Sequence, residues 1–464
     1  ALTFSNSASG TDPITSLSPG LDKLTRVEGN LKLQVSSIAS LNGLGNVTHV
    51  GALRINSGDQ LTDINALGGL TSLGPRNCQP DTGTSANSCL TQIDITSSTI
   101  AQLPAWNIAG GTALELLTLE GLPLADPTQL DDLPVPTKSL RLKGLPLDTD
   151  QPGQLAALAR TASAAQETVT LTNLANVKAL PAMPQTAFLQ VEELGLPDLS
   201  DITPAALPAL TRLNVTKIAG IDPAELAPIR DIEEITLSTL PGLTGPNPLA
   251  GLTGGTFRVL ALNSLDGVGT LADLSTVNSL GTLSINKLNE LTDLDGLQNL
   301  TTISRTIQLQ ENAKLQNLNG LRNVVTNTLE LVDVSVNSKL TDITGLAGIT
   351  GVSDSIVVYL NNVTECDVLV KSRLNPQPSG TYYLDPMCIY AAPTLTSSAT
   401  ALDFGSAPIG STIDKSVIFQ NSTGSISTTV DISAVSISGD TAGEYSVLSE
   451  DCSSGPLTGG STRN

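Results

Sequence analysis

The sequence is poor in aromatic residues and in histidine, and both shortages narrow the possible functions. Of its 464 residues only 2% are Phe, Tyr or Trp, and there is one histidine, His49. Hydrolytic sites usually combine a nucleophile with a base and an oxyanion stabiliser, and sugar-degrading sites normally present aromatic platforms. We therefore predict no catalytic residues and interpret His49 as a polar residue on a turn and Trp106 as a lid over an apolar edge. A glycosidase with paired carboxylates is the enzymatic alternative.

Basic residues are also scarce, which bears on the partners of the chain. The sequence has 23 Lys and Arg against 44 Asp and Glu, so its formal net charge is −21. Because phosphate binding needs clustered basic residues, we expect no nucleic-acid partner. The acidity predicts a soluble, self-repelling surface. Weak calcium binding by carboxylates such as Asp231, Glu233 and Glu234 is an alternative, but no D-x-D-x-D-G loop is present. No metal and no cofactor is predicted.

No apolar stretch is long enough to span a bilayer, so the sequence predicts no membrane span. The chain begins at Ala1 without an initiator Met or a signal peptide. This start is typical of a mature or trimmed chain.

The sequence is rich in one repeated pattern, an apolar couplet whose two members are separated by one residue. Fourteen couplets recur at intervals of roughly 19 to 29 residues, with one longer gap. A period of this length is typical of repeat proteins. The couplets are Leu31/Leu33, Leu53/Ile55, Ile93/Ile95, Leu117/Leu119, Leu140/Leu142, Val169/Leu171, Leu194/Leu196, Leu213/Val215, Ile235/Leu237, Leu260/Leu262, Leu283/Ile285, Ile307/Leu309, Leu329/Leu331 and Ile356/Val358.

Each couplet predicts a short strand, and the sequence between couplets predicts a turn. The commonest linking text has a polar Thr and Asp followed by Gly-Leu, as at Thr292, Asp293 and Gly296. The polar residues can cap a short helical turn, and glycine lets the chain bend back. Since one coil cannot bury its own apolar edge, we expect residues 20–390 to form one right-handed solenoid with a parallel sheet.

The repeat text resembles the leucine-rich repeat family, and its later half resembles bacterial relatives of the receptor L domain. The clearest unit is LNELTDLDGLQNL at residues 288–300. Family repeats often carry an asparagine just after the strand, and Asn56, Asn263 and Asn286 fit that position. Other residues occupy it elsewhere, so we expect a broken asparagine ladder and irregular coils from about 100 to 260. The resemblance implies the fold and leaves the function open.

Five cysteines indicate the redox compartment. Cys78 and Cys89 bracket one interruption of the repeat, while Cys366 and Cys388 follow the last couplet, and Cys452 is left over. Neither pair has zinc-ligand spacing, so we interpret the pairs as disulfides, the second closing the end of the solenoid. Disulfides predict an oxidising compartment and hence an extracellular or cell-surface protein.

A different pattern follows a linker at residues 391–400. Residues 401–464 contain short alternating stretches with turn signals about every ten residues, which predict an immunoglobulin-like β-sandwich. The string LDFGSAPIGST at residues 402–412 resembles bacterial choice-of-anchor D modules of the hydin-type immunoglobulin-like group. That resemblance implies a secreted or surface bacterial protein whose module carries no catalysis. It also implies an incomplete sandwich, since the chain ends before the family's final strands.

The N-terminal domain, residues 1–19, offers a strand that could complete this sandwich. We predict that Leu2, Thr3, Phe4 and Ser5 form an inter-subunit strand. Fourteen coils at about 4.8 Å each separate the solenoid ends by about 65 Å, which a ten-residue linker cannot bridge. The predicted acceptor is therefore the sandwich of a neighbouring copy, through residues Phe404, Ile418 and Ile437. An open sandwich edge accepts such a strand, and a head-to-tail contact that does not close gives a filament.

These features predict a mainly β, extracellular structural protein, a subunit of a surface filament or stalk assembled head-to-tail by strand complementation. The alternative function is a secreted or surface adhesion module that binds a protein or glycan through the repeat face. An exposed patch of aromatic and Arg side chains on the sheet would favour that alternative. A third interpretation is a piece of a longer chain, in which neighbouring modules supply the partner strand.

Peptide mapping of the native protein without reduction tests the cysteine assignment. We expect Cys78 linked to Cys89 and Cys366 linked to Cys388, each loop contributing on the order of 3 kcal/mol to the free energy of unfolding. A reduced and alkylated sample is the control. Free thiols at these four positions would contradict both the pairing and the oxidising compartment.

Overall fold

The apolar couplets are the buried residues of successive parallel strands. In the computed structural model of this chain, Leu31, Leu33, Leu53 and Ile55 each expose no more than 1% of their surface. Leu31 lies opposite Leu53 and Leu33 lies opposite Ile55 on the next strand. The residues between the members of these couplets remain partly accessible. Such alternation is required of a strand with one face buried.

The described residues fall into two compact units. One comprises Ala1–Val277 with Lys287–Asn289, and the other comprises Asn278–Asn286 with Glu290–Asn464. The structure describes residues 2–5, 15–34, 37–56, 60–74, 90–106, 108, 110–111, 113–363, 367–369, 373–384, 395–406, 411–421, 429–430, 432, 445–447, 457–458 and 462–463.

The first unit is built on a parallel β-sheet. Its strands are β1 (Leu2–Ser5), β2 (Arg26–Gln34), β3 (His49–Asn56), β4 (Ser72–Leu73), β5 (Gln92–Thr96), β6 (Gly110–Gly111), β7 (Leu116–Glu120), β8 (Ser139–Lys143), β9 (Thr168–Leu174), β10 (Phe188–Leu194), β11 (Arg212–Thr216), β12 (Glu234–Ser238) and β13 (Val259–Asn263). Most strands pair in parallel with the next one along the chain, as β7 does with β8 and β8 with β9. Strand β3 pairs with two later strands, β4 at its start and β5 at its end.

Short helical turns return the chain from one strand to the next in this unit. The helix α1 (Gln154–Ala162) lies between β8 and β9, and Arg160 of α1 donates a hydrogen bond to the carbonyl oxygen of Leu133 at 2.9 Å. Two of the 3₁₀ helices begin with a proline that follows an Asp N-cap, at Asp126-Pro127 and at Asp222-Pro223. The 3₁₀ helices of this unit are Asn65–Gly69, Pro127–Asp132, Pro223–Ile229, Ala250–Leu252 and Ala272–Leu274.

The second unit also contains a parallel sheet. Its strands are β14 (Ser279–Asn286), β15 (Thr302–Gln310), β16 (Leu329–Ser335), β17 (Val352–Tyr359) and β18 (Tyr382–Leu384). They pair in parallel and in chain order. The 3₁₀ helices of this unit are Asn319–Leu321, Thr344–Leu346 and Asp367–Leu369. The protein is thus mainly β with a solenoid-like repeat architecture, while the single continuous solenoid over 20–390 stays a prediction.

Two predicted couplets lie at the wrong positions. In β10, Leu189 is in register with Val169 and Val191 is in register with Leu171, so Leu189/Val191 is the inward couplet there instead of Leu194/Leu196. In β16, Val332/Val334 replaces Leu329/Leu331 as the inward couplet. The predicted pair lies five residues after the inward couplet in β10, where both of its members are buried, and three residues before it in β16, where only Leu329 is buried. Leucine content alone could not distinguish the pairs.

An asparagine ladder is present in the second unit, but not at the predicted positions. Asn337 donates from Nδ2 to the carbonyl oxygen of Leu309 at 2.9 Å, and its Oδ1 accepts from the backbone N–H of Asn312 at 2.9 Å. The Oδ1 of Asn361 accepts from the backbone N–H of Asn337 in the same way. These residues come three positions after the inward couplets, whereas Asn286, one position after its couplet, lies on the strand itself. Asn286 also bonds to the next coil, since its Oδ1 accepts from the backbone N–H of Gln310 at 3.1 Å, but the asparagines of the buried ladder lie two residues beyond the predicted position.

A left-handed residue follows the couplet at a constant position. From β7 to β17, the second residue after each couplet has a φ between 51° and 72°. Glycine occupies this position only at Gly121 and Gly144, and elsewhere it holds residues as bulky as Val336. A left-handed conformation costs a non-glycine residue roughly 1–2 kcal/mol. The stacked neighbours must impose it, because the same geometry recurs whatever side chain is present.

The C-terminal segment of the second unit contains short antiparallel strands. They are β19 (Leu395–Ser397), β20 (Phe419–Asn421), β21 (Thr429–Val430), β22 (Leu457–Thr458) and β23 (Thr462–Arg463). Strand β20 pairs with β19 and β23, and β21 pairs with β22. The fully buried Asn421 donates to the carbonyl oxygen of Leu457 at 3.2 Å and so links the two small sheets. Strand β19 lies within the segment predicted as a linker.

The N-terminal segment is a strand, as predicted, but it pairs within its own chain. Leu2 lies opposite Leu31 and Phe4 lies opposite Leu33, in a parallel ladder between β1 and β2. Leu2 and Phe4 are both half-buried. In this single chain the segment is therefore the first strand of the sheet of the first unit. Its exchange into a neighbouring copy stays a prediction.

Removal of the Asn337 side chain should destabilise the second unit. Asn337→Ala leaves a buried N–H of Asn312 and the carbonyl of Leu309 without their partner, so we expect the free energy of unfolding to fall by about 3 kcal/mol. Urea unfolding followed by far-ultraviolet circular dichroism measures it. The control is Asn323→Ala, an exposed asparagine with one bond to the Gln298 carbonyl, which should cost less than about 1 kcal/mol. Equal losses in the two variants would contradict the ladder's role.

Candidate functional site

The outward face of the second unit's parallel sheet carries a polar ladder of hydrogen-bonded side chains. It consists of Ser284, Asn286, Gln308, Gln310, Asp333 and Ser335. Gln308 donates to Gln310 Oε1 at 3.0 Å, and Gln310 in turn donates to Asp333 Oδ2 at 2.6 Å. Ser335 donates to Asp333 Oδ1 at 2.7 Å. The ladder holds these side chains in one orientation, and a carboxylate retains acceptor positions beyond two such bonds.

A tyrosine patch adjoins the polar ladder. It consists of Val336, Tyr359, Leu360 and Tyr383, which are all at least 38% exposed. The rings of Tyr359 and Tyr383 meet edge to face, with their centroids 5.3 Å apart. Exposure of two rings together is notable in a chain with only 2% aromatic residues, because contiguous apolar surface often marks an interaction site.

Strand register brings the polar ladder and the tyrosine patch together. Ser335 lies directly opposite Tyr359 on the next strand. Asp333 lies opposite Val357, which in turn lies opposite Tyr383. Neighbouring strands are about 4.8 Å apart, so one small ligand can contact the rings and the polar side chains at once. The arrangement suits binding.

The first unit has a polar depression on its outward sheet face, with a volume of about 180 Å³. We call it the cationic depression. Its lining residues are Lys32, Gln34, Arg54, Ile55, Asn56, Asp94 and Thr96. Lys32 and Arg54 lie opposite each other on β2 and β3, and Arg54 lies opposite Asp94 on β5. The depression is therefore one row of charged residues flanked by neutral polar ones.

The carboxyl of Asp94 is less acidic than usual. Burial raises the pKa of Asp94, and the negative charge of Glu120 raises it further, while Arg54 and Arg141 oppose the shift. Arg54 is oriented by Gln92, whose Oε1 accepts from Arg54 Nη2 at 2.9 Å. Arg54 and Asp94 form no ion pair within 4.0 Å in the part of the chain that the structure describes.

The histidine lies at the start of β3 and not on a turn. His49 is 3% exposed; its Nδ1 is 2.9 Å from Ser72 Oγ, and its Nε2 is 3.6 Å from Glu28 Oε2. Serine, histidine and carboxylate in this order resemble a hydrolase triad. However, the nearby backbone N–H of Gly74 donates to two carbonyl oxygens of β3 and is not available to an oxyanion. We therefore interpret the cluster as a polar link between β2, β3 and β4.

Only some of the residues predicted from the sequence as functional lie in the part of the chain that the structure describes. Phe404 is half-buried against Tyr445, with ring centroids 5.5 Å apart, and Ile418 is 45% exposed. The indole of Trp106 is buried and donates to the Leu67 carbonyl at 2.7 Å. The predicted disulfide residues and the third acceptor residue lie outside the described residues; they are Cys78, Cys89, Cys366, Cys388 and Ile437.

Sequence reasoning missed both candidate sites. Tyr359, Tyr383 and Arg54 each sit on the outward side of a strand, one residue beyond an inward one. The sequence signal that could have revealed these sites is the outward-facing residue that lies between, or just after, the two members of each couplet. Reading those residues in register across neighbouring coils would have grouped Lys32, Arg54 and Asp94.

Comparisons with known proteins leave the family open. No protein-family model matches the chain, and no curated protein is detectably similar to it. Within the described residues, no group of three or more His, Cys, Asp or Glu side chains is placed to hold a metal ion. No helix in the described part of the chain is long and apolar enough to cross a membrane.

The raised pKa of Asp94 predicts how stability depends on pH. Ionisation of Asp94 is less favourable in the folded state, so its contribution to stability is present below the unfolded pKa, about 3.9, and is lost as the pH rises through the folded pKa. Asp94→Asn removes this penalty and should raise the free energy of unfolding at pH 7, with no gain below pH ~3.9.

Urea unfolding of both proteins at a series of pH values measures the difference. Asp295→Asn, at an exposed position, controls for the loss of one negative charge. The burial penalty at Asp94 would be contradicted if the free energy of unfolding at pH 7 rose equally in both variants. It would also be contradicted if the rise in Asp94→Asn persisted below pH ~3.9.

Proposed function

We propose that this protein is a non-catalytic recognition module that binds a neutral glycan on the sheet of β14–β18. The observation that carries the proposal is the tyrosine patch beside the polar ladder. We further propose that the module acts outside the cell or at its surface. The resemblance of the repeat text to leucine-rich repeats and receptor L domains, and of the C-terminal segment to choice-of-anchor D modules, supports that location.

A glycan fits this surface because a sugar has an apolar face and a polar rim. The C–H groups of a pyranose can pack on the rings of Tyr359 and Tyr383, which present a large rigid area. Its hydroxyl groups can donate to the carboxylate of Asp333 and exchange hydrogen bonds with the amides of Gln308 and Gln310. The polar ladder orients these groups before the ligand arrives, which lowers the entropy lost on binding.

Charge favours a neutral glycan over a polyanion. The chain carries a net charge of −21, and Asp333 lies within the proposed site. A polyanion would be repelled on approach. Nucleic-acid bases also stack on tyrosine, but their phosphates would meet the same field.

Exposed apolar side chains in the tyrosine patch add support. Val336 is 41% exposed and Leu360 is 53% exposed. Their left-handed backbone recurs in every coil from β7 to β17, and the other coils of that run carry glycine or a polar residue at this position. A ligand-binding role gives a reason for the two apolar side chains, because contiguous exposed apolar surface often marks an interaction site.

The filament function predicted from the sequence has less support. Its donor strand is β1, which already pairs with β2 of the same chain, so donation would require this ladder to open. A protein ligand on the tyrosine patch is the other alternative, and the following experiment distinguishes it from a glycan.

Titration calorimetry with neutral hexasaccharides tests the function. We expect at least one of cellohexaose, maltohexaose and laminarihexaose to bind, and Tyr359→Ala and Tyr383→Ala to weaken that affinity at least tenfold, or ~1.4 kcal/mol. The control is Tyr445→Ala, which removes an exposed ring outside the parallel sheet and should leave the affinity unchanged. No binding by any of the three sugars, or equal binding by all variants, would contradict the glycan site.

A further inference from the structure

We propose that the cationic depression of the first unit is a second binding site, which takes a sugar acid through its single carboxylate. The site is separate from the glycan site proposed above and does not depend on it. Its ligand class follows from the two cations in the depression, the neutral polar groups beside them and the size of the space.

The cations of the depression lack anionic partners. Neither Lys32 nor Arg54 forms an ion pair within 4.0 Å in the described part of the chain. Arg54 uses Nη2 to bond Gln92, but its Nε is buried and has no hydrogen-bond partner among the described residues. A buried donor left unpaired costs free energy. A carboxylate can satisfy a guanidinium with two parallel hydrogen bonds, and this pairing is stronger than one between neutral groups.

A row of neutral polar groups flanks the cations. Gln34, Asn56 and Thr96 lie two residues beyond Lys32, Arg54 and Asp94 on the same three strands. Two residues along a strand span about 6.6 Å, which matches the distance from the carboxylate of a hexuronic acid to the hydroxyls across its ring.

The side chains of that row are available to a ligand. None of the three forms a hydrogen bond with another side chain or with the backbone in the part of the chain that the structure describes. The hydroxyls of a sugar can bond to amide and hydroxyl groups of this kind.

Size and charge restrict the ligand further. A volume of about 180 Å³ is below the range of about 300–1,000 Å³ that is typical of drug-sized ligands, and it suits one sugar ring. The positive charges of Lys32 and Arg54 outnumber the carboxyl of Asp94 by one, so a single carboxylate balances the site. The raised pKa of Asp94 further reduces repulsion of that carboxylate. A polyanion, by contrast, would meet the negative field of the whole chain.

Titration of the full chain with methyl glucuronide tests this site. Methyl glucoside is the matched ligand, because it differs only in bearing a hydroxymethyl group where the glucuronide has its carboxylate. We expect the glucuronide to bind at least tenfold more tightly than the glucoside. Arg54→Gln should weaken the affinity for the glucuronide at least tenfold. Lys32→Gln should weaken binding three- to tenfold. The control Arg322→Gln makes the same change of charge at an exposed position of the second unit and should have no effect.

Three further measurements make the outcome decisive. Circular dichroism shows whether each variant is folded, and if Arg54→Gln is not, Lys32→Gln decides. Tyr359→Ala should bind the glucuronide as the unaltered protein does, so that failure of one site is distinguished from failure of the other. N-acetylglycine supplies a carboxylate without a sugar ring, and we expect it to bind at least tenfold more weakly. Equal affinity for the glucuronide and either comparison ligand, or full affinity in both depression variants, would overturn the proposal.

Discussion

The structure depends on the inability of any one coil to bury its own apolar edge. Each inward couplet is covered by the couplet of the next coil, as Leu31 is by Leu53, so burial is shared between neighbouring coils. Register must therefore be kept from strand to strand, while the outward residues are released from packing. That freedom allows the sheet of the first unit to carry the cationic depression and the sheet of the second unit to carry the polar ladder.

The repeat was predictable from the sequence because this constraint requires apolar couplets at regular intervals along the chain. It also made two further strands predictable in principle. Leu2 and Phe4 form a couplet 29 residues before Leu31, which is within the repeat interval, yet the incomplete sandwich suggested a different role for this strand. Tyr382 and Leu384 lie opposite Ile356 and Val358. This couplet was missed because its first member is aromatic. The requirement that every coil bury its couplet against the next coil was sufficient to predict both strands. The search pattern was too narrow, because it accepted only aliphatic residues in a couplet.

The candidate sites were less predictable, since they depend on residues that are adjacent only across strands. Lys32, Arg54 and Asp94 are separated by 22 and 40 residues in sequence and become neighbours only through the ladder register. An error of a few residues, like those in β10 and β16, moves a different set of side chains into the row. Burial at Asp94 and the edge-to-face contact of the two tyrosines likewise arise from packing, which no local pattern encodes.

The left-handed residue after each couplet has an evolutionary consequence. Because it recurs two residues after every inward couplet from β7 to β17, whatever length the following loop has, each coil restores the alignment of its strand with the strand before it. Duplication or loss of an entire coil would then leave the remaining coils intact. Within the sheet of either unit, one additional coil would move the outward side chains on its two sides apart by a single strand spacing, about 4.8 Å. Repeat number could thus adjust ligand spacing in discrete steps, independently of the residues that recognise the ligand.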